Sequence, residues 1–192
     1  NLAMMSATMS DALALDSADT SLLLLPLFHI NGLVLSVLAP LRAGADVVIA
    51  PRFAPESFWD LVARHRPTYF SAVPTIYALL EARTTGEVDA SSLRFGVCGA
   101  APMPAEALTR FEERFGFPLV EGYGLTECTL AATLNPLHGP RRPGSVGPAL
   151  PGVEIAIVDG LGEPLEPGAR GEVVVRGANV FRGYLGRPEE TA

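Results

Sequence analysis

The sequence predicts an α/β fold, a mostly parallel sheet with flanking helices followed by a small β-rich subdomain. Short apolar runs alternate with helical patterns of about ten residues along the first part of the chain, which is typical of βαβ units. Beyond residue 140, Gly and Pro become dense, and strand patterns follow without helices between them. We therefore assign residues 1–140 to part of an α/β subdomain and residues 141–192 to part of a β-rich subdomain.

The helices and strands can be justified in chain order. Residues 1–15, rich in Met, Ala and Leu, predict a helix. The apolar window 21–41 is interrupted by Pro26, Asn31 and Gly32. A membrane span would have to bury those interruptions, so we predict strand, loop and a helix over 33–41 instead.

Periodicity predicts the remaining elements. β-branched residues indicate a strand at 46–50, and apolar positions on one face indicate a helix at Pro55–His65. Pro104 and Gly116 punctuate another helix in the usual way. The further predicted strands are 69–73, 93–98, 119–121, Val153–Val158 and 172–176, and the further helices are 75–83 and Ala105–Phe115.

Composition excludes several functions. The net charge is −7, so a phosphate backbone gains no general attraction and we expect no nucleic-acid partner. All fourteen basic residues are Arg, so these residues cannot complete a mechanism that needs a lysine. Cys98 and Cys128 are too few for a disulfide framework and show no zinc spacing. We interpret both as packed free thiols and expect a cytoplasmic location, since no signal-peptide pattern is visible.

The segments that follow the predicted strands form the candidate site. In an open parallel sheet, ligands bind outside the carboxyl ends of the strands. Small residues, a hydroxyl, a carboxylate, an aromatic ring and an imidazole follow those ends here, in segments 28–32, 73–75, 99–102 and 122–127. We expect them to converge on one edge of the sheet and form a ligand site.

Residues 121–127 carry the chemistry that suits a nucleotide. Gly122 and Gly124 allow close approaches that a side chain would block. Thr126 is a small donor suited to a phosphate oxygen, and Glu127 is a hard anionic ligand suited to Mg²⁺. Tyr123 offers a flat face to a base. The alternative interpretation is a Gly-rich turn in which Thr126 and Glu127 cap a helix.

Two other segments allow both a structural and a functional interpretation. Residues 99–101 are either a place of close strand–helix packing or a wall for a planar ligand. His29 is either a satisfied core histidine or a ligand-facing side chain at a strand end. His65 and His138 have no such context, and we expect both at the surface.

Taken together, these segments resemble the adenylate-forming (AMP-binding) superfamily. That superfamily contains acyl- and aryl-CoA synthetases, firefly luciferase and the adenylation domains of peptide synthetases. The most specific match is Glu-Gly-Tyr-Gly-Leu-Thr-Glu at 121–127, which is similar to the family's adenylation motif. Similar segments follow one another in order along nearly the whole chain, at 25–29, 73–75, 98–102, 144–153 and 171–184.

The resemblance implies an ATP-dependent acyl- or aryl-CoA ligase. Such an enzyme activates a small carboxylic acid as acyl-AMP and then transfers the acyl group to CoA. The implied catalytic residues are His29 beside the carboxylate, Thr126 at the phosphates and Glu127 at the Mg²⁺ of ATP. The implied nucleotide-binding residues are Gly99, Ala100, Ala101, Gly122, Tyr123, Gly124 and Thr126.

The resemblance also implies that parts of the enzyme lie elsewhere. The family's phosphate loop would precede Asn1, and its ribose-binding Thr-Gly-Asp segment would follow Ala192. A mobile C-terminal domain with the catalytic lysine would also follow. We therefore expect the chain to depend on the remainder of its parent enzyme and to be inactive alone. Small residues at 99–101 leave room for a ring or a medium chain, and no basic residue is evident for a second carboxylate.

Three alternatives stay open on the sequence. The chain could be a stand-alone module that binds a nucleotide without catalysis, or part of a peptide-synthetase adenylation domain. A third possibility is an oxidoreductase or another doubly wound α/β enzyme. The sequence ranks this third class low, because no G-x-G-x-x-G opens a helix after the first strand.

Overall fold

A computed structural model describes residues 1–191, which form one large sheet and one small one. The large sheet contains β1 Thr20–Leu23, β2 Asp46–Ile49, β3 Tyr69–Ala72, β4 Phe95–Cys98, β5 Leu119–Tyr123 and β6 Thr133–Leu134. Their order is β2-β1-β3-β4-β5-β6. Strands β1 to β5 pair in parallel, and β6 is antiparallel to β5. The predicted α/β fold with a mostly parallel sheet is confirmed.

Helices cover both faces of this sheet. They are α1 Leu2–Ala12, α2 Ala39–Ala43, α3 Pro55–His65, α4 Pro74–Arg83 and α5 Ala105–Phe115. Successive side chains of a strand point to opposite faces. Phe70 therefore packs with Phe58 and Tyr77 in one core, whereas its neighbour Tyr69 packs with Met9 in the other. Burial on both faces explains why β1, β3 and β4 contain no charged residue.

The helix expected at 33–41 has a different form. Residues Asn31–Leu38 wind as a π-helix, which continues as α2. In a π-helix each N–H donates to the carbonyl five residues before it, as the Ala39 N–H does to the Val34 carbonyl. Pro40 has no N–H for the next such bond, and the Leu35 carbonyl accepts a hydrogen bond from the buried Tyr69 hydroxyl at 2.9 Å instead. π-Helical turns are rare in proteins, but those that do occur frequently lie at functional sites.

Strand β5 is longer than the predicted 119–121. Its last two residues, Gly122 and Tyr123, pair with Leu134 and Thr133 of β6. The two-residue strand β6 was not predicted, because so short a pairing leaves no periodic pattern. Antiparallel pairing thus extends β5 into the segment that we expected to follow the strand.

The second sheet consists of β7 Val153–Val158 and β8 Glu172–Gly177, paired antiparallel. It confirms the β-rich part of the fold. Backbone hydrogen bonding joins the chain leading into it to the large sheet, as the N–H of Leu134 in β6 donates to the Pro148 carbonyl at 3.1 Å. The boundary at residue 140 stays a prediction. None of the helices in residues 1–191 has the length and apolar character needed to cross a membrane.

A buried carboxylate ties three strands together at the opposite, amino-terminal edge of the large sheet. Asp19, just before β1, is only 2% exposed. It accepts a hydrogen bond from Thr68 at 2.6 Å, just before β3, and one from Arg94, just before β4. Burial by itself would raise the pKa of Asp19, but the hydrogen bonds from Arg94 and Thr68 outweigh it and lower the pKa below 3.8.

We expect Arg94→Ala to lower the free energy of unfolding by about 1.5–3 kcal/mol at pH 7, because a buried carboxylate loses a charged hydrogen-bond donor. Urea denaturation followed by the fluorescence of Trp59, the single tryptophan, measures this loss. Arg110→Ala is the control, since its ion pair with Glu81 is exposed and should be worth under about 1 kcal/mol.

The same pair predicts a pH dependence. A folded-state pKa below the unfolded value stabilises the protein above pH 3.8, and this stabilisation is lost as the pH falls through the lower folded-state pKa. The difference in the free energy of unfolding between wild type and Arg94→Ala should therefore become smaller as the pH is lowered from 7 to 3. A constant difference over that range would contradict the assignment.

Candidate functional site

Two adjoining cavities open at the carboxyl edge of the parallel strands. The first has a volume of about 430 Å³ and the second about 370 Å³. Both are lined by Cys98, Ala100 and the three residues 122–124 at the end of β5. The ends of β4 and β5 thus form a common wall between them.

The first cavity gathers most of the predicted site residues. Seven of them line it: His29, Gly99, Ala100, Gly122, Tyr123, Gly124 and Thr126. Ala101 lines the second cavity. Glu127 lines neither and follows Thr126 in the 3₁₀ turn Thr126–Cys128. The expected convergence at one sheet edge is thus observed, while the role of each residue stays a prediction.

Glycine at two positions permits the close backbone contacts that shape the common wall. A methyl group on Gly124 would lie 1.9 Å from the Leu130 carbonyl oxygen, and one on Gly122 would lie 2.9 Å from the Thr133 carbonyl oxygen. Gly122 and Tyr123 belong to a strand, and Thr126 and Glu127 open a turn of three residues. The alternative of a Gly-rich turn capping a regular helix is therefore not what the chain adopts.

The neighbouring wall, residues 99–101, does not pack closely against a helix. The atom nearest to a methyl group placed on Gly99 is the Gly122 carbonyl oxygen, at an ordinary contact distance of 3.6 Å. Ala100 is exposed and has φ of 68°, which is uncommon for a residue with a side chain. Local strain of this kind clusters at ligand sites, so the interpretation of 99–101 as a ligand wall fits better.

His29 lies at the mouth of the first cavity and is exposed. Its ring centroid is 4.5 Å from that of Phe28, which is 83% exposed. The alternative of a satisfied core histidine is therefore wrong for His29. His65 and His138 are also exposed, as expected, and line neither cavity.

Asn31 adds a polar group that the sequence did not single out. It lines the first cavity, and its Oδ1 accepts a hydrogen bond of 2.8 Å from the hydroxyl of the fully buried Ser71. The contact joins the start of the π-helix to β3. No local pattern indicates it, because the two residues are 40 positions apart.

Glu127 meets a tyrosine from the end of the chain. The Tyr184 hydroxyl donates to Glu127 Oε1 at 2.6 Å, and this bond lowers the pKa of the Glu127 carboxyl. The carboxylate is therefore ionised at neutral pH and partly exposed. Among residues 1–191, no three His, Cys, Asp or Glu side chains converge to form a complete metal site.

The two cysteines lie buried on either side of this edge. Burial raises the pKa of the Cys98 thiol to about 12, and burial also raises that of Cys128. A nucleophilic cysteine needs an accessible thiolate at neutral pH. Neither thiol has that character, which agrees with the expected packing role.

A family comparison identifies this arrangement. The model of the family described as "AMP-binding enzyme" matches residues 1–185. The chain belongs to the AMP-binding enzyme family. The resemblance expected from residues 121–127 is thereby confirmed.

Similar AMP-binding proteins are CoA ligases. The chain is 40% identical over 181 residues to an oxalate–CoA ligase of Arabidopsis thaliana, covering 91% of this chain and 35% of that protein. It is 35% identical over 179 residues to a long-chain-fatty-acid–CoA ligase of Bacillus subtilis (strain 168), covering 92% and 32%. The chain spans about a third of the length of these curated relatives.

Solved structures agree with the fold. ATP-bound MatB from Rhodopseudomonas palustris superimposes with a TM-score of 0.91 at 36% identity, covering 99% of this chain and 38% of MatB. The large sheet and its carboxyl edge are thus those of an AMP-binding enzyme.

We expect Gly124→Ala to lower the free energy of unfolding by about 1–3 kcal/mol, because its methyl group collides with backbone atoms that cannot move aside alone. Gly99→Ala is the matched control, since its methyl group makes only an ordinary contact. Urea denaturation of both variants measures the difference. Equal stabilities would show that the contact at Gly124 is not tight.

Proposed function

We propose that this chain is the part of an AMP-forming acid–thiol ligase that holds the acyl group and the adenine. The observation that supports this best is the pair of adjoining cavities separated by the residues at the ends of β4 and β5. The ligase must bring two ligands together at one reacting carboxylate. Two cavities with a common wall suit that requirement.

The proposed reaction has two steps. A carboxylate oxygen of the acid attacks the α-phosphorus of ATP, the α–β phosphoanhydride bond breaks, and pyrophosphate leaves. The CoA sulfur then attacks the acyl carbon of the adenylate, the bond to AMP breaks, and the thiol proton is lost. Catalysis of such transfers rests mainly on positioning and charge stabilisation.

The chain's residues divide between the two ligands. In the proposal, Tyr123 stacks on the adenine and residues 99–101 line its other side. The acid occupies the larger cavity, with its carboxylate near His29 at the mouth. Thr126 donates to a phosphate oxygen. Gly122 and Gly124 keep the common wall thin enough for the two ligands to meet.

Glu127 suits the Mg²⁺ that accompanies ATP. Mg²⁺ usually takes one or two carboxylates together with phosphate oxygens and water, so an isolated ionised carboxylate beside Thr126 fits, although three converging ligands are absent from residues 1–191. When bound, the ion would neutralise charge on the phosphates. The part of Glu127 is to present its carboxylate at the phosphate side of the site.

The cavity lining supports a monocarboxylic acid with an aryl or medium-length apolar body. Apolar side chains dominate the larger cavity, among them Met9, Leu25, Leu35, Val73, Leu130 and Leu134. No arginine lines it within residues 1–191, so a second carboxylate would find no basic partner there. The amide of Asn31 offers one polar contact. We propose this class although relatives act on acids as different as oxalate and long-chain fatty acids.

The proposal assigns turnover to the full-length protein. The chain has no lysine, and it spans about a third of its relatives. A phosphate loop and a mobile domain with a lysine, supplied from outside these residues, would complete the site. A cytoplasmic location is part of the same proposal and fits two buried thiols.

We expect Glu127→Gln in the full-length protein to lower acid-dependent pyrophosphate release at least 10-fold, because the phosphates lose an anionic metal ligand. The measurement is pyrophosphate release with aryl and aliphatic acids, each titrated with Mg²⁺. Glu113→Gln, an exposed carboxylate on α5, is the control. Unchanged adenylation in Glu127→Gln would remove Glu127 from the site.

Calorimetry on the 192-residue chain separates the ligase from a stand-alone nucleotide-binding module. We expect ATP with Mg²⁺ to bind more weakly than about 1 mM, since the remainder of the site lies outside the chain. Tighter binding would favour the module without catalysis. Transfer of the activated acid to a carrier protein in place of CoA would favour a peptide-synthetase adenylation domain.

A further inference from the structure

The turn that carries Glu127 is strained. Thr129 and Leu130 have φ of 58° and 108°, a region that residues with side chains rarely adopt. Such conformations persist only where the surrounding structure holds them in place. The question is which residues hold this turn.

Residues 179–181, which lie beyond β8, form hydrogen bonds to this turn. The fully buried Asn179 donates from its side-chain Nδ2 to the Cys128 carbonyl at 3.2 Å. The main-chain carbonyl of Asn179 accepts a hydrogen bond from the Thr129 hydroxyl at 2.6 Å. The Phe181 N–H donates to the Glu127 carbonyl at 2.7 Å. These three bonds join residues about 50 positions apart and explain how the strained turn is maintained.

Tyr184, from the same part of the chain, forms a hydrogen bond to the side chain of Glu127. Its hydroxyl donates to Glu127 Oε1 at 2.6 Å, while its ring packs edge-on against Phe181 with centroids 4.8 Å apart. The Thr191 hydroxyl accepts from the Tyr184 N–H at 3.0 Å. Gly183 has φ of 134°, and a methyl group there would lie 2.3 Å from Thr191. Contacts that do not involve the Glu127 side chain therefore determine where the Tyr184 hydroxyl lies.

We propose that Tyr184 is a positioning residue for Glu127, whose carboxylate it holds in the orientation that receives the nucleotide-bound Mg²⁺. This inference rests on the proposed function. A phenol suits the task because it donates one hydrogen bond without cancelling the negative charge, and a carboxylate oxygen keeps a lone pair after accepting one bond. Partners of this kind typically contribute 10- to 100-fold to metal affinity or activity.

A purely structural role makes a different prediction. If Tyr184 only fastened the end of the chain, its loss would weaken ATP binding equally with and without Mg²⁺. A positioning role affects only the step that involves the ion. The dependence on Mg²⁺ therefore distinguishes the two.

The test uses Tyr184→Phe in the full-length protein, which keeps the ring against Phe181 and removes the hydroxyl alone. We expect the Mg²⁺ concentration for half-maximal pyrophosphate release to rise about 10-fold. Calorimetry should show weaker ATP binding in the presence of Mg²⁺ and unchanged binding in its absence. The melting temperature should change little, because Tyr184 is 45% exposed.

Tyr77→Phe is the matched control. It also removes one tyrosine hydroxyl, which donates to the Val97 carbonyl at 2.8 Å in the core on one face of the large sheet. We expect a lower melting temperature and no change in Mg²⁺ dependence.

Two outcomes would overturn the inference. One is a Mg²⁺ dependence of Tyr184→Phe within twofold of wild type, and the other is an equal loss of ATP affinity with and without Mg²⁺. Glu127→Gln, measured in parallel, shows which proposal has failed. If the Mg²⁺ concentration for half-maximal pyrophosphate release rises in Glu127→Gln but not in Tyr184→Phe, the inference alone is refuted. If that concentration rises in neither variant, the proposed role of Glu127 is refuted.

Discussion

Parallel strands paired in register place the carboxyl ends of β3, β4 and β5 side by side, and the whole site depends on this alignment. Ala72 lies opposite Cys98, and Cys98 lies opposite Glu121. The residues that follow these positions must therefore meet at one edge. At the other edge, Asp19 fastens the beginnings of β1, β3 and β4 through Thr68 and Arg94. Relative sliding of these strands would break the buried hydrogen bonds of Asp19, so these bonds stabilise the alignment on which the site depends.

Close backbone contact then converts an aligned edge into a divided pocket. Antiparallel β6 approaches the end of β5 at Gly122. The turn between β5 and β6 approaches Gly124 more closely than a methyl group there would permit. The wall between the two cavities is therefore made mainly of main chain and small side chains. A thin wall lets two ligands approach each other, which is the geometric requirement for joining an acid to a nucleotide. The glycines of this segment act chiefly by removing bulk, since neither has the positive φ that glycine alone tolerates well.

Local pattern predicted most of the fold, because apolar periodicity and helix punctuation are written in neighbouring residues. It also predicted that residues after different strands would meet, since parallel topology determines where strand ends lie. It did not predict β6, whose two residues carry no period, or the π-helical winding before Pro40. The contacts of Asn31 with Ser71 and of Glu127 with Tyr184 were also missed. They join residues 40 and 57 positions apart, and only the folded chain brings them together.

The strained turn at Thr129 and Leu130 affects how these proteins can be recombined. Its backbone is held by Asn179, which belongs to the chain beyond β8 and therefore to the other side of the boundary predicted at residue 140. A chimera that joined residues 1–140 to the second sheet of a distant relative would inherit the turn without its native support. Crossover points that keep 126–130 and 178–184 from one ancestor preserve both halves of the contact. Two segments that are distant in sequence must therefore be taken from the same parent protein for this turn to keep its native contacts.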